Sequence, residues 1–524
     1  MGDNSADKSM SVSGVEYTHA GKDYFEKRGL KRHAGAASLW GLGVAAVISG
    51  DFSGWNFGIG NAGWGGMLIA TLIIGLMYVL MIYSIAEMSA AMPHTGGAYS
   101  FARSAMGPWG GFITGFAETV EYVITTAVVG TFAALYADAI VAELFGISLP
   151  ILLWVVIIYV IFVALNAAGA AASFRFAFGI AIVSLAVLAI FFVSALFSGK
   201  FSVDNLFDIV PEAGGSTFLP YGFLGIFLAM PFAIWFFLGI EELPLAAEET
   251  HDPAKDIPKG SIAGMFTLIV TALLVLILNP GVLGAATISE SGEPILDGFR
   301  AIFPNSDIAA LLSLMALAGL IASFQGIMFA AGRNVYSLSR AGYYPKFLSL
   351  TGARKTPYVA LIASAVVGVV LIFGLGAIAY GAEEAPYVNA ANALLLIAVF
   401  GAVIAYVLQM VAFLILRRKF PSVSRPYRSP VGIVGALIAG IIALVTLILM
   451  PFNADYRSVV LWVAIVYVVG LVLFALFGRK RLVLSPEEEY AISGGAHGHP
   501  ETEGYDVVET LEESGAEEFF PPKE

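Results

Sequence analysis

Runs of about 20 consecutive apolar residues recur from one end of this chain to the other. Each is long enough for an α-helix to cross a hydrocarbon core of roughly 30 Å. About twelve such runs can be read, approximately at 36–62, 67–91, 110–143, 150–168, 174–197, 221–247, 260–283, 307–340, 357–379, 389–416, 430–451 and 457–478. A water-soluble domain needs charged residues to cover its surface. Here 58% of 524 residues are hydrophobic and 13% charged, with a mean hydropathy of +0.84. The chain reads as an all-α, polytopic membrane protein whose main solvent is lipid.

Twelve spans place both chain ends on one face. Lys27, Arg28, Lys31, Arg32, Arg340, Lys346, Arg354, Lys355, Arg417, Arg418, Lys419, Arg425 and Arg428 fall on that face, and only Lys200, Arg300 and Arg457 fall on the other. The positive-inside rule makes the basic face cytoplasmic, as for a bacterial-type inner membrane. The opposite loops carry Asp204, Asp208, Glu212, Glu290, Glu293, Asp297, Glu383 and Glu384, which independently supports an even number of spans. The first 33 residues are polar and lack the apolar middle of a signal peptide, so the first span is expected to direct insertion.

Composition also excludes classes of chemistry. There is no cysteine, and the six histidines show no ligand spacing, so a redox or zinc function has no support. No nucleophile triad, phosphate loop or metal cluster is legible, so the chain is read as neither an enzyme nor a nucleic-acid binder, and it needs no cofactor. Much of the net charge of −12 follows Arg481, in Glu487, Glu488, Glu489, Glu509, Glu512 and Glu513. The expected organisation is a tail at 1–33, a transmembrane core at 34–480, and an acidic cytoplasmic tail at 481–524 that is solvated and disordered.

Helix-breaking residues interrupt span 1 at Ser49-Gly50-Asp51-Phe52-Ser53-Gly54 and span 6 at Leu238-Gly239-Ile240-Glu241-Glu242-Leu243-Pro244. Five spans separate the breaks. A repeat of odd length is inserted upside down, and matching breaks in two such halves point to a binding site at the bilayer midplane. The halves would be 36–197 and 221–416, with 430–478 peripheral.

An acid inside a span costs about 2.5–3.5 kcal/mol to insert, which makes each one a functional candidate. Asp51, Glu118, Glu121, Glu241 and Glu242 qualify, and no Lys or Arg occupies the middle of any span. Carboxylates without a fixed cation favour a cationic substrate. Asp51, with Ser49, Gly50, Ser53 and Trp55 beside it, is the candidate holder of an ammonium group; the alternative is that it caps the second half-helix. Glu118 and Glu121 share a helix face with Tyr122 adjacent, to bind substrate, relay a proton or join helices. Phe52 and Trp55 flank the first break, where an aromatic face adds about 0.5–2 kcal/mol to an ammonium contact. Gln325 and Gln409 are candidates for a substrate hydroxyl or for helix-to-helix hydrogen bonds. Glu87, Glu248, Glu249 and His251, at cytoplasmic helix ends, read as structural or inner-gate ion pairs.

Four segments in order resemble signatures of the amino acid, polyamine and organocation (APC) transporter superfamily. They are Pro93-His94-Thr95-Gly96-Gly97-Ala98-Tyr99 with Arg103 and Gly107; Ala247-Glu248-Glu249 with Pro253, Lys255, Ile257, Pro258 and Gly260; Arg333, Ser339, Arg340, Gly342, Pro345 and Phe347; and Arg425-Pro426-Tyr427-Arg428. The resemblance implies a leucine-transporter-like fold of two five-span inverted repeats with helices 1 and 6 broken. It places Trp235, with Phe52, at an aromatic gate, and puts Glu241 at a Gly-Phe-Glu position, with Ile240 replacing Phe, where the acid is often structural. The run Ser49 to Gly58 looks most like ethanolamine permeases. Proton-coupled relatives often carry a Lys in span 5; this chain has none, and Ser184 stands near the place.

The function expected is import of ethanolamine or a related small primary amine by alternating access. An amino acid or polyamine permease of the same fold is the alternative, and an amine sensor is the reading from another class. A proton is favoured over sodium as coupling ion, with exchange left open, as is the oligomeric state.

Overall fold

The structure is a computed structural model. It describes residues 9–495 and 498, except 13, 19, 21, 304, 305, 380–385, 453, 496 and 497. Glu383, Glu384, Glu509, Glu512 and Glu513 of the sequence reading lie outside the described residues.

A hairpin, β1 (Ser9–Val12) and β2 (Val15–Thr18), and a one-turn helix, α1 (Lys22–Glu26), precede the bundle. Its first half consists of α2 (Ala36–Val47), α3 (Ser49–Phe52), α4 (Phe57–Ala91), α5 (Gly97–Phe145), α6 (Ile151–Ala167) and α7 (Ala170–Phe197). The second half begins with α8 (Gly222–Trp235), a 3-10 stretch at Ile240–Glu249, and α9 (Pro253–Leu283). Two short helices, α10 (Ala285–Glu290) and α11 (Pro294–Ile302), lead to α12 (Ser306–Arg340), α13 (Tyr358–Ala379) and α14 (Pro386–Lys419). Then come α15 (Gly432–Leu449), α16 (Ala454–Leu476), β3 (Leu482–Val483) and α17 (Pro486–Ser493).

Among the described residues, nine helical segments are long and apolar enough to cross a membrane, and three shorter apolar helices join them. Together they match the twelve spans expected. Two kinks lie at span boundaries of the sequence reading, each inside one otherwise continuous helix. Gly63, at φ +70°, divides span 1 from span 2 inside α4, and Gly107, at φ +80°, divides an entry segment from span 3 inside α5. Both angles lie in the left-handed region that a Cβ disfavours.

Each break has a local cause. The first helix ends at Phe52, Ser53 is extended, and Gly54 turns at φ +93° before α4 begins. The gap thus lies slightly later than the sequence suggested, and Asp51 sits in the last helical turn before it. The second break follows Trp235: Gly239 adopts φ +110°, and Pro244, which lacks an N–H for an α-helical ladder, lies in the tighter 3-10 stretch.

The two breaks cross in the middle of the bundle. A Cβ on Gly50 would overlap the Trp235 carbonyl, and one on Gly54 would stand 2.6 Å from Trp235 Nε1. Glycine is what allows this approach. Around them, α5 packs chiefly on α12 and α14, α4 on α8, and α2 on α7 and α9.

The tail departs from expectation at 482–495. β3 pairs in parallel with β2, so both chain ends share one three-stranded sheet. In α17, Glu487 and Glu488 are fully buried. They are not solvated because arginines of the bundle receive them, as described below.

Candidate functional site

Side chains from three other helices hydrogen-bond the first break, and side chains of the break itself donate to the backbone of a fourth segment. Ser323 Oγ of α12 donates to Ala46 O and accepts from Ser49 N–H at 3.1 Å. Tyr136 Oη of α5 donates to Phe52 O at 2.7 Å, and Trp235 Nε1 donates to Ser53 O at 2.9 Å. Ser53 Oγ donates to Gly292 O, while Asn56 Nδ2 donates to Ile288 O and Ser291 O. The short helices α10 and α11 and their linker therefore cover the break on the face opposite the chain ends. Phe52 lies against Gly319 of α12, and Trp55 stacks on Phe236 with centroids 5.5 Å apart. Trp235, Phe52 and Trp55 are all buried at the crossing.

Asp51 is buried beside Thr271 of α9. Thr271 donates to Leu268 O instead, and neither carboxylate oxygen of Asp51 has a hydrogen-bond partner. It stands apart from the glutamates.

Glu121 and Glu241 are brought together by a tyrosine. Tyr406 of α14 donates to Glu241 Oε1 at 2.7 Å, and the same hydroxyl lies 3.3 Å from Glu121 Oε1. Tyr78 of α4 is 2.9 Å from Tyr406. Since a phenol carries one hydrogen, Tyr406 serves Glu241, Tyr78 serves Tyr406, and Glu121 receives only the longer contact. Gly239 N–H adds a donor to Glu241 at 3.1 Å, and Glu121 Oε2 has no partner. Glu118 accepts from Tyr122 at 3.3 Å and from Asn334 Nδ2 at 3.3 Å. Asn334 in turn accepts from Thr119, which contacts Tyr344. Both oxygens of Glu242 are buried without a hydrogen bond.

Gln325 is turned away from this centre. It forms a reciprocal amide pair with Asn166 of α6, at 2.8 and 3.1 Å, and so joins two helices instead of facing a ligand. Gln409 is buried one turn beyond Tyr406, and its Nε2 has no partner. Ser184 donates to Ile180 O of its own helix. Tyr406, Tyr78, Asn334 and Tyr136 were not singled out from sequence, because a tyrosine or asparagine inside a span has no spacing that distinguishes it from ordinary packing.

At the terminus-bearing end, Glu249 and Arg333 form two bonds of 2.9 Å, both residues fully buried. Glu248 pairs with Arg340, and Glu87 with Arg417 and Arg425. His251 contributes through its backbone, which bonds Ala34. A cavity of about 530 Å³ lies between α5, α12, α13, α14 and α16, lined by Phe116, Val123, Val367, Leu371, Trp462 and Val466 among others. Its walls are apolar and offer little to an ammonium. Among the described residues, no group of three or more His, Asp or Glu is arranged to hold a metal ion.

Comparison with known proteins agrees with this architecture. The branched-chain amino acid permease BcaP of Bacillus subtilis is 27% identical over 478 residues, covering 88% of this chain and 96% of its own length. The methylthioribose transporter of the same organism is 25% identical over 482 residues, covering 88% and 96%. An uncharacterised transporter of Rhizobium meliloti is 30% identical over 349 residues, 66% of this chain and 73% of that one. Among solved structures, a manganese transporter of Eremococcus coleocola superposes with a TM-score of 0.56 at 15% identity, covering 89% of this chain and 98% of that one. At that identity the likeness carries the fold alone, that of a leucine-transporter-like bundle. The relatives are permeases and transporters, and this chain is a transporter, not an enzyme. The amino acid permease family model matches residues 38–484, and the chain belongs to that family.

Proposed function

We propose that this permease imports a small primary amine, with ethanolamine the substrate to test first, and that both its termini face the cytoplasm. One observation carries the reading. Among the described residues, Asp51, Glu118, Glu121, Glu241 and Glu242 are buried within the spans, and none forms an ion pair. A buried carboxylate without a cation is unfavourable unless a ligand or a proton supplies the charge. An ammonium group at the first break would meet Asp51 and the aromatic faces of Trp235, Phe52 and Trp55.

A carboxylate-bearing substrate needs free donors at the first break. Gly54 N–H, which the break releases, is already taken by Asn56 Oδ1 at 3.1 Å. This favours an amine over an amino acid. The amino acid reading retains one specific support, the near full-length similarity to a branched-chain amino acid permease.

A proton is the coupling ion in this reading. One phenolic hydrogen faces both Glu121 and Glu241, and a proton held between the two acids supplies the missing donor.

Uptake of radiolabelled ethanolamine into proteoliposomes tests the proposal, with pH and sodium gradients imposed separately. Saturable uptake driven by the pH gradient, unaffected by leucine or alanine and lost in Asp51→Asn and Glu121→Gln, is expected. Carriage of leucine or alanine without ethanolamine would replace the amine reading with the amino acid one.

A further inference from the structure

The segment after Arg481 does more than end the chain. Helix α17 lies across the terminus-bearing end of the bundle and inserts two adjacent carboxylates. Glu487 Oε1 accepts from Arg340 Nη2 at 2.6 Å, and the same nitrogen donates to Glu248 Oε1 at 2.7 Å. Arg340 thus joins α12, the end of the broken sixth span and the tail. Glu488 binds Arg103 and accepts from Tyr99 at 2.6 Å, Tyr17 at 2.6 Å and Tyr343 at 2.9 Å. One carboxylate therefore gathers the N-terminal hairpin, the entry segment of α5 and the residues following α12.

Further contacts seat the same segment. Tyr490 Oη donates to Ala91 O at 3.2 Å, and its ring meets His94 edge-on at 5.3 Å. His94 Nε2 donates to Gly498 O at 2.6 Å. Burial lowers the His94 pKa, which keeps the ring neutral and fits one nitrogen donating while Nδ1 accepts from Ser100.

We infer that α17 is a removable latch, which holds the cytoplasmic end of the transport path shut and must leave before that end opens. Two features make it removable. A helix of eight residues is too short to be stable alone, so its form depends on docking. It ends in Gly494 and Gly495, at φ +67° and +87°, where the chain is easily redirected. Two features make it a latch. Its carboxylates sit on arginines of α12 and α5, and Arg340 also holds Glu248 of the sixth span. That span's contact with α12, through Glu248 and Glu249, has to part for substrate to pass this end.

The chain has no cysteine, so an introduced thiol is the sole reporter. Ser337 is buried on α12, four residues after Arg333 and three before Arg340, and so shares their face beneath the latch. Alkylation of Ser337→Cys by a membrane-impermeant maleimide, in otherwise full-length protein, measures opening whether or not the substrate is known. Adding Glu487→Gln and Glu488→Gln, or ending the chain after Arg481, is expected to speed alkylation about tenfold. Equal rates in all three proteins, each folded by size and melting temperature, would overturn the inference.

A second measurement fastens the segment instead of releasing it, and compares one variant in its two redox states. A carbon built on Gly96 stands 3.2 Å from Glu487 Cγ, so Gly96→Cys with Glu487→Cys places two thiols in position to bond. Oxidation should slow amide hydrogen exchange at 333–341 about tenfold, and reduction should restore it. Exchange indifferent to oxidation, with the disulfide verified, would show that the segment does not have to move.

Discussion

Glu249→Gln tests the buried pair that ties the sixth span to α12. Both Glu249 and Arg333 are fully buried, and two parallel bonds of 2.9 Å join them. Removing one partner of such a pair costs ~3–5 kcal/mol, because the remaining charge is left uncompensated. Three neighbours set the expectation at the lower end. The glutamine carbonyl still accepts one N–H. The Phe329 ring lies 3.5 Å from the guanidinium carbon and offers it a π face. Glu242, whose oxygens have no hydrogen bond, is close enough to feel Arg333, and Arg333 Nη1 has no partner of its own. A loss of ~3 kcal/mol is expected, roughly a 100-fold change in the folded-to-unfolded ratio. Glu249→Gln with Arg333→Met removes both charges, and an apolar replacement of a buried pair is often neutral, so the double variant should lose ~1 kcal/mol or less. Arg333→Met alone leaves Glu249 buried without its cation and should lose ~3–5 kcal/mol as well, so reversible unfolding of the four proteins in one detergent should give a coupling energy of about 5 kcal/mol or more. Adding Glu242→Gln to Glu249→Gln should deepen the loss by ~1 kcal/mol or more, since the substitute partner then also disappears. A coupling energy below ~0.5 kcal/mol, the range in which distant sites add, would refute the assignment of the pair as a unit.

Two further outcomes are expected. Gly50→Ala drives a Cβ into the Trp235 carbonyl and should lower stability by ~1–3 kcal/mol and abolish transport, whereas Gly60→Ala, whose new carbon would stand 3.6 Å from Ser289 Cβ, should be silent in both assays. Glu293, in the linker between α10 and α11, has its pKa raised to about 7, chiefly by burial, against the opposing pull of Arg300. Between pH 4.5 and 7 the folded state therefore binds more protons there than the unfolded chain, and stability falls as pH rises through that window. In Glu293→Gln that part of the pH dependence should flatten in melting curves; a curve parallel to the parent's would refute the shift.

The fold was legible to the degree that the membrane dictates it. A span has to be apolar over its full length, and a helix that breaks inside one has to carry Gly or Pro, so both breaks could be found by inspection. The boundaries at Gly63 and Gly107 were legible too, between spans 36–62 and 67–91 and ahead of 110–143, but not that each is a single glycine turn inside one helix. The candidate acids stand out in the sequence because a carboxylate within a span is costly to insert, but what links them does not. Tyr406 reaches Glu121 and Glu241 across three helices, a relation that no local spacing encodes. Gln325 looked the same as a ligand-facing amide until Asn166 was found opposite. The run Glu487-Glu488-Glu489 has the composition of a solvated tail, and only the docking of Arg103 and Arg340, far away in sequence, makes two of its carboxylates internal.

The sheet that unites β2 with β3 also imposes an order on the protein's making. Thr18 and its partner Leu482 are 464 residues apart. At ribosomal rates of about 5–20 residues per second, the N-terminal hairpin waits on the order of 20–90 s for the strand that completes it. Every span has left the ribosome by then. The terminus-bearing face is closed only after the spans are made, and a polypeptide cut short just before Leu482 can hold a complete set of spans while lacking that closure.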